Sequence, residues 1–463
     1  MVLSKPVRTG LGIAVAVLLL MLPALWNGYP FIFFDSGDYL TVGLTGQRVI
    51  YRDPVYGLLT APLHLYRSLW CIALGQSLLA AWVIHETVAL VLPEGRRMGA
   101  YLAISAGLAA GTSLPWFSGQ VMPDILGALA VLLVVLLGLG DPRPLKRWTF
   151  ASLLAVMIAS HLSFLPLGIG LVLVLCGLRL FLPAVRLGAV AAAVTVAPAI
   201  VLGANLALGG PPTLSETSHD FLLARLVQDG LAKQTLERLC PDPLLRLCAV
   251  KESLPATAND FLWGDSAAFA LIGGWLDSKE EAERILSASL RLFPGDHVLA
   301  SVKLSAQQLV WFDTGEGLES QAEPWGVIEA HLPGDFPAYE GARQQKGEMP
   351  AAMRMINRLH VPLAGLAMLA LPALAWICRR GHRLREMAGL ILIGAALAGN
   401  AVICGVLSNP NGRYESRMVW LAVFALFLAA ADAISRRFPT PAGGYRTTAD
   451  RGRAQGSARS ASG

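Results

Sequence analysis

The side chains able to do chemistry fall into four short groups, each beside a long apolar run. The first is Phe33-Phe34-Asp35-Ser36-Gly37-Asp38-Tyr39-Leu40. Asp35 could simply cap a short interfacial helix with Asp38 in its first turn. It could also be a carboxylate partly desolvated by its aromatic neighbours and able to take a proton from a hydroxyl. The second group is Tyr51-Arg52-Asp53-Pro54-Val55-Tyr56-Gly57, where Arg52 before a proline turn suits a phosphate or a nearby carboxylate, or forms a plain solvated pair with Asp53. The third is Gln120-Val121-Met122-Pro123-Asp124, which also reads as an ordinary helix start, with proline at the first helical position and an acid in the first turn. The fourth is Asn409-Pro410-Asn411-Gly412-Arg413-Tyr414-Glu415-Ser416-Arg417. Arg413 and Arg417 share a helical face if the last helix starts early, giving a cationic patch suited to phosphate; the alternative is interfacial snorkelling. His161, at the tip of a helical hairpin, is a fifth candidate, weighed against a hydrogen-bonded structural histidine. His85 and Glu86 lie too far along their helix to join these groups.

The elements that must position these residues are membrane helices. The chain has 463 residues, of which 54% are hydrophobic and only 15% charged. Its mean hydropathy is +0.54. A soluble protein carries about a quarter charged residues, so a water-soluble globule is excluded. The net charge of +5 comes from short basic clusters between apolar runs, which argues against a nucleic-acid partner and for membrane orientation. About 20 apolar residues are needed to cross a hydrocarbon core of about 30 Å. Ten segments qualify, near 10–27, 70–92, 98–115, 121–140, 147–161, 165–182, 186–208, 359–378, 387–407 and 416–434. The fifth and sixth are expected to form a hairpin. With the N-terminus inside, Arg96-Arg97, Lys146-Arg147, Arg379-Arg380 and Arg436-Arg437 all face the cytoplasm, and so does the C-terminus. The expected architecture is therefore an all-α, multi-pass protein of the bacterial inner membrane, with a disordered cytoplasmic tail over 438–463.

Two stretches then face outward: the loop 28–69 and an insertion over 209–358. The insertion holds 21 of the chain's 32 acidic residues and 13 of its 37 basic ones, so it reads as an acidic periplasmic domain. Its apolar periodicity, for example from Glu280 to Leu292, is helical. Cys240 and Cys248 lie within it, and a pair so placed in an oxidising compartment most simply forms a disulfide, contributing about 2.5 kcal/mol through loop closure. The remaining four cysteines lie in apolar runs, and no zinc-type spacing occurs.

An acid just after the first helix, an Arg-x-Pro-x-Tyr turn and a Pro-Asp at the head of the fourth helix together resemble the GT-C class of membrane glycosyltransferases, which includes the protein O-mannosyltransferases and the bacterial aminoarabinose transferases. The resemblance covers residues 10–208 (the N-terminal transmembrane module, 1–208), with a looser echo at Arg413-Tyr414 near a late helix; the C-terminal helices fill 359–437. It implies a polyprenyl-phosphate-linked sugar as donor, a membrane lipid, and a periplasmic hydroxyl as acceptor. Asp35 matches the first-loop acid, which in the family acts as base or helps to bind metal, and Asp124 matches the second-loop acid. His161 sits where relatives carry a polar residue near the lipid phosphate. In this reading Asp35 is the general base and Asp124 orients a hydroxyl. Arg52, Arg413 and His161 stabilise the leaving phosphate, while Asp38, Tyr39, Tyr56, Tyr414 and Arg417 complete the binding site. A divalent ion, magnesium or manganese, bridged by Asp35 and Asp124 is the one cofactor this set would take. The chain departs from the family where many members have adjacent Asp-Glu in the first loop; here the second acid is Asp38, three residues on.

Two readings from other classes stand beside this one. A transporter or flippase would show broken helices with midplane polar residues and internal repeats; the sequence shows no repeat, and its polar residues collect at the outer helix ends. A non-catalytic subunit of an envelope-polymer assembly machine would use the acidic insertion for docking.

Overall fold

A computed structural model of the chain describes residues 4–322 and 324–438. The expected disordered tail lies, beyond Phe438, outside the described residues. Those residues are almost wholly helical, and the only β pairing among them is a single parallel bridge between Phe31 and Gln120.

The N-terminal half contains helices α1 (Lys5–Asn27), α2 (Ser36–Thr45), α3 (Pro54–His64), α4 (Trp70–Val91), α5 (Glu94–Gly111), α6 (Leu114–Ser118), α7 (Asp124–Leu139), α8 (Pro144–Ala159), α9 (Phe164–Phe181) and α10 (Gly188–Ala207). Three long helices close the described chain: Met349–Arg380, Leu384–Leu407 and Gly412–Arg437. Seven of these helices, α1, α4, α9, α10 and the three C-terminal ones, are long and apolar enough to cross a membrane, as a polytopic membrane protein requires. The other three expected spans are also helical, but α7 and α8 have 16 residues each, about 24 Å, and α5 carries a charged first turn.

The pattern of burial explains the arrangement. Every residue of α7 is buried, as its all-round apolar sequence demands, and it lies at the centre of the bundle against α4, α8, α9, α10 and the last two helices. The neighbours are buried on one stripe and exposed on the other, the signature of helices facing lipid. Asp35, Asp124, Ser163 and Arg413, at the starts of α2, α7, α9 and the last helix, meet at one end of the bundle. At the other end, basic residues pair with the few acids there, as in Arg383–Asp432 and Arg186–Asp141.

The 209–358 insertion is less separate than its composition suggests. Residues 218–292 have their own small core, in which Leu223, Leu236, Phe261 and Ile285 pack together. Helix Pro294–Val310 packs along the membrane helix Leu384–Leu407. The segment after it is woven into the first loop: Ile328, Leu332 and Tyr339 pack on Tyr29, Ile32 and Leu40, while Leu318, Met349 and Met353 pack on Phe31 and Trp116. Cys240 and Cys248 are joined in a disulfide, as expected.

Candidate functional site

The first loop and the segment before α7 are tied by two backbone hydrogen bonds, Phe31 N–H to Gly119 O and Val121 N–H to Phe31 O, both 2.9 Å. Ser36 strengthens the tie, its hydroxyl donating to Val121 O at 2.8 Å. This clasp sets the start of α2 beside the start of α7. Helices α2 and α3 cross at Gly43 and Gly57: a Cβ on Gly57 would lie 2.6 Å from Tyr39 O, and one on Gly43 would lie 2.7 Å from Gly57 O. The crossing turns Arg52 back over α2.

The result is an alternating ladder of six charges. Asp38 accepts from Arg52 Nε at 2.8 Å, and Arg52 also pairs with Asp35. Arg413 stands between the two candidate acids, 3.9 Å from Asp35 and 3.5 Å from Asp124. Arg417 closes the ladder by donating to Asp124 at 2.8 Å. Asp124 is 1% exposed and Arg417 is fully buried. Asp35 does stand at the N-cap position of α2, but its side chain caps nothing and goes to the arginines, so it is not an ordinary cap. Arg52 pairs with Asp35 and Asp38 rather than with Asp53. The last helix starts at Gly412, which places Arg413 and Arg417 one turn apart within it; this favours the shared-face reading over snorkelling. Helix α7 begins at Asp124 itself, so Pro123 precedes the first helical residue instead of occupying it.

Aromatic rings and neutral groups hold the guanidinium groups in place. Arg413 lies 3.8 Å over the Phe33 ring, and Arg417 lies 5.2 Å over Phe164 and 5.3 Å over Tyr414. Arg417 also donates to Ser163 Oγ and Asn400 Oδ1, each at 3.3 Å, and Asn400 in turn donates to Glu415 at 2.8 Å. His161 joins through its Nδ1, 2.8 Å from Ser163 Oγ.

Beside the ladder lies a cavity of about 360 Å³ between the bundle and the insertion. Tyr39, Arg52, Asp53, His161, Tyr414 and Arg417 are on its wall, whereas Asp35, Asp38, Asp124 and Arg413 are not. Tyr56, expected in the binding set, is not on this wall: its ring meets Tyr39 edge to face at 5.1 Å, its hydroxyl donates to Gln76 at 2.7 Å, and it lines a separate apolar cavity. Its role is to hold α3 on α4. Three acids around the ladder and the cavity, all outside the spans, have raised pKa values. Burial raises Asp38 despite Arg52, and burial likewise raises Glu316, which accepts the Arg413 backbone N–H at 2.7 Å. Burial pushes Asp53 up to about 7. The sequence reading did not single out Asp53, Glu316 or Asn400; only the position of Asp53 beside Arg52 and Pro54 gave a signal.

A divalent ion bridged by Asp35 and Asp124 does not fit this arrangement. The space between the two carboxylates is filled by the Arg413 guanidinium, and placing a cation there would set it against two further arginines. Fold and site together thus define an all-helical polytopic membrane protein with a buried charge ladder at one end. Compared with protein-family models, curated proteins and solved structures, the chain matches none.

Proposed function

We propose that this chain is a divergent GT-C-type glycosyltransferase of the bacterial inner membrane, moving a sugar from a polyprenyl-phosphate donor to a periplasmic acceptor hydroxyl. In this reading all ten helical segments span, both termini are cytoplasmic, and the ladder lies at the periplasmic end. The basic clusters at the other end support that orientation. One observation carries the functional reading: the ladder turns two guanidinium groups, Arg52 and Arg417, onto the wall of a cavity between the bundle and the insertion. A leaving polyprenyl phosphate gains negative charge as its bond to the sugar breaks, so it needs fixed cations more than a proton. Arg52 spends Nε and Nη2 on Asp38 and Asp35, which leaves Nη1 for a ligand, and Arg417 Nε is buried without a hydrogen-bond partner among the described residues. Asp35 and Asp124 hold these arginines, and Arg413 links the two acids. His161 and Tyr414 shape the wall, and no step uses a metal ion.

The test is turnover of the purified protein in nanodiscs with a panel of radiolabelled polyprenyl-phosphate sugars, with Asp35→Asn alongside. Transfer or hydrolysis by the wild type, reduced at least tenfold in the variant, supports the reading. A second reading, a non-catalytic assembly subunit, has one observation in its favour: the ladder is balanced, three acids to three arginines, and can close the bundle with no ligand. No turnover with any donor would favour it.

A further inference from the structure

The ladder leaves one question of chemistry open. An acceptor hydroxyl that attacks a sugar carbon must lose its proton, yet Asp35 is turned to the arginines and away from the cavity. Two carboxylates stand on the cavity wall itself, Asp53 and Glu216. Glu216 is taken by a salt bridge with Arg48. Asp53 caps α3 with one oxygen only, Oδ1, which accepts the Val55 N–H at 3.0 Å. Its other oxygen, Oδ2, is buried and has no hydrogen-bond partner among the described residues. The neighbouring arginine gives it no pairing, because Arg52 is committed to Asp38 and Asp35. The titratable and charged groups that share its wall are Tyr39, Tyr51, Arg52, His161, Cys404, Tyr414 and Arg417, with Glu216 held by Arg48.

We infer that Asp53 Oδ2 is the proton acceptor of the transfer, an assignment that rests on the function proposed above. The acceptor oxygen forms a bond to the anomeric carbon of the sugar while the bond from that carbon to the phosphate oxygen breaks. The electron pair leaves with the polyprenyl phosphate, facing Arg52 and Arg417, and the hydroxyl proton passes to Asp53 Oδ2. Burial also holds the carboxyl at about 7, where one group can take a proton in one turnover and release it before the next.

Asp53→Asn is the variant of choice, because its amide oxygen can still accept the Val55 N–H and keep the cap while the ionisable oxygen is lost. In nanodiscs with the radiolabelled donor panel, the expected result is a kcat about 10²–10⁴-fold below wild type with donor KM unchanged. The wild-type rate should rise with pH through about 7, a limb the variant lacks. A variant rate within about threefold of an active wild type would overturn the assignment of Asp53 and leave the transferase intact. A wild type inactive on every donor would overturn the transfer reading on which both rest. An activity-independent check is labelling with dicyclohexylcarbodiimide, an apolar reagent that couples to protonated carboxyls. Peptide mapping should find Asp53 labelled near neutral pH and protected as the pH rises, and no labelling at any pH would overturn the assignment.

Discussion

Asp124 is the residue on which the ladder turns, because its carboxylate faces both Arg413 and Arg417 inside the bundle. Asp124→Asn leaves two buried guanidinium groups near each other with their shared counter-ion gone. Breaking a buried pair in this way costs about 3–5 kcal/mol, so we expect a large drop in thermal midpoint in detergent. Adding Arg417→Met removes the excess charge and should restore more than half of the loss; no recovery would show that the ladder is not what stabilises this end. Asp53 makes a prediction of the opposite sign. Its carboxyl titrates at about 7 in the fold against about 4 in an unfolded chain, so the native state favours the protonated form. Its contribution to stability is present below about pH 4 and lost as pH rises through about 7. Asp53→Asn should therefore be more stable than wild type at pH 8, on the order of 1–3 kcal/mol, with the difference gone near pH 4, as unfolding curves at the two pH values would show. Gained stability with lost turnover would separate this residue from a structural one. Asp35, Arg52, Asp124, Arg413 and Arg417 were each legible as polar residues at helix ends. Their order in the ladder was not, because it joins residues as far apart in the chain as Asp35 and Arg413. Asp53 was passed over because burial, and not residue type, sets it apart.

The elements that carry these residues were legible wherever apolar runs are long, so all ten expected spans are helices. The reading failed where a helix is only half apolar. Met349–Arg380 begins ten residues before the expected 359, since Arg354, Asn357 and Arg358 interrupt its first turns, whose Met349 and Met353 face Phe31 and Trp116. A hydropathy window averages such a stripe away. Helices α2 and α3 lie together for a similar reason, since the close approach depends on Gly43 and Gly57 rather than on an apolar run. Gly57→Ala places a methyl 2.6 Å from Tyr39 O and 2.7 Å from the Val42 side chain. Overpacking of this kind costs about 1–3 kcal/mol. It would also push Arg52 away from Asp38 and open the edge-to-face contact of Tyr39 with Tyr56. Donor KM should rise in the nanodisc assay more than for alanine at Gly203, whose Cβ would meet nothing within 4 Å. Equal effects at the two glycines would show that the α2–α3 crossing does not set the site.

At the scale of the molecule, the insertion contains two parts with different dependences, on either side of a helix, Pro294–Val310, that packs on the bundle. Residues 312–348 share cores with the first loop, so they stand or fall with the charged end of the bundle. Residues 218–292 pack mainly on themselves and reach the cavity through Phe221 and Glu216, the latter just ahead of them, held by Arg48. The disulfide lies only in that second part, where it closes a separation of eight residues. Closing so short a loop restrains the unfolded chain by about 2.5 kcal/mol, which so small a core cannot easily forgo. Replacing Cys240 and Cys248 with serine should therefore loosen 218–292 while the bundle stays folded. Limited proteolysis should show new cuts between 240 and 260, with the membrane helices protected and the thermal midpoint of the bundle unchanged within about 2 °C. The same cuts should appear in the wild type after reduction by dithiothreitol. If the bundle unfolds with the insertion instead, the two parts form one cooperative unit, and the cavity wall supplied by Phe221 would be as rigid as the wall supplied by Arg417.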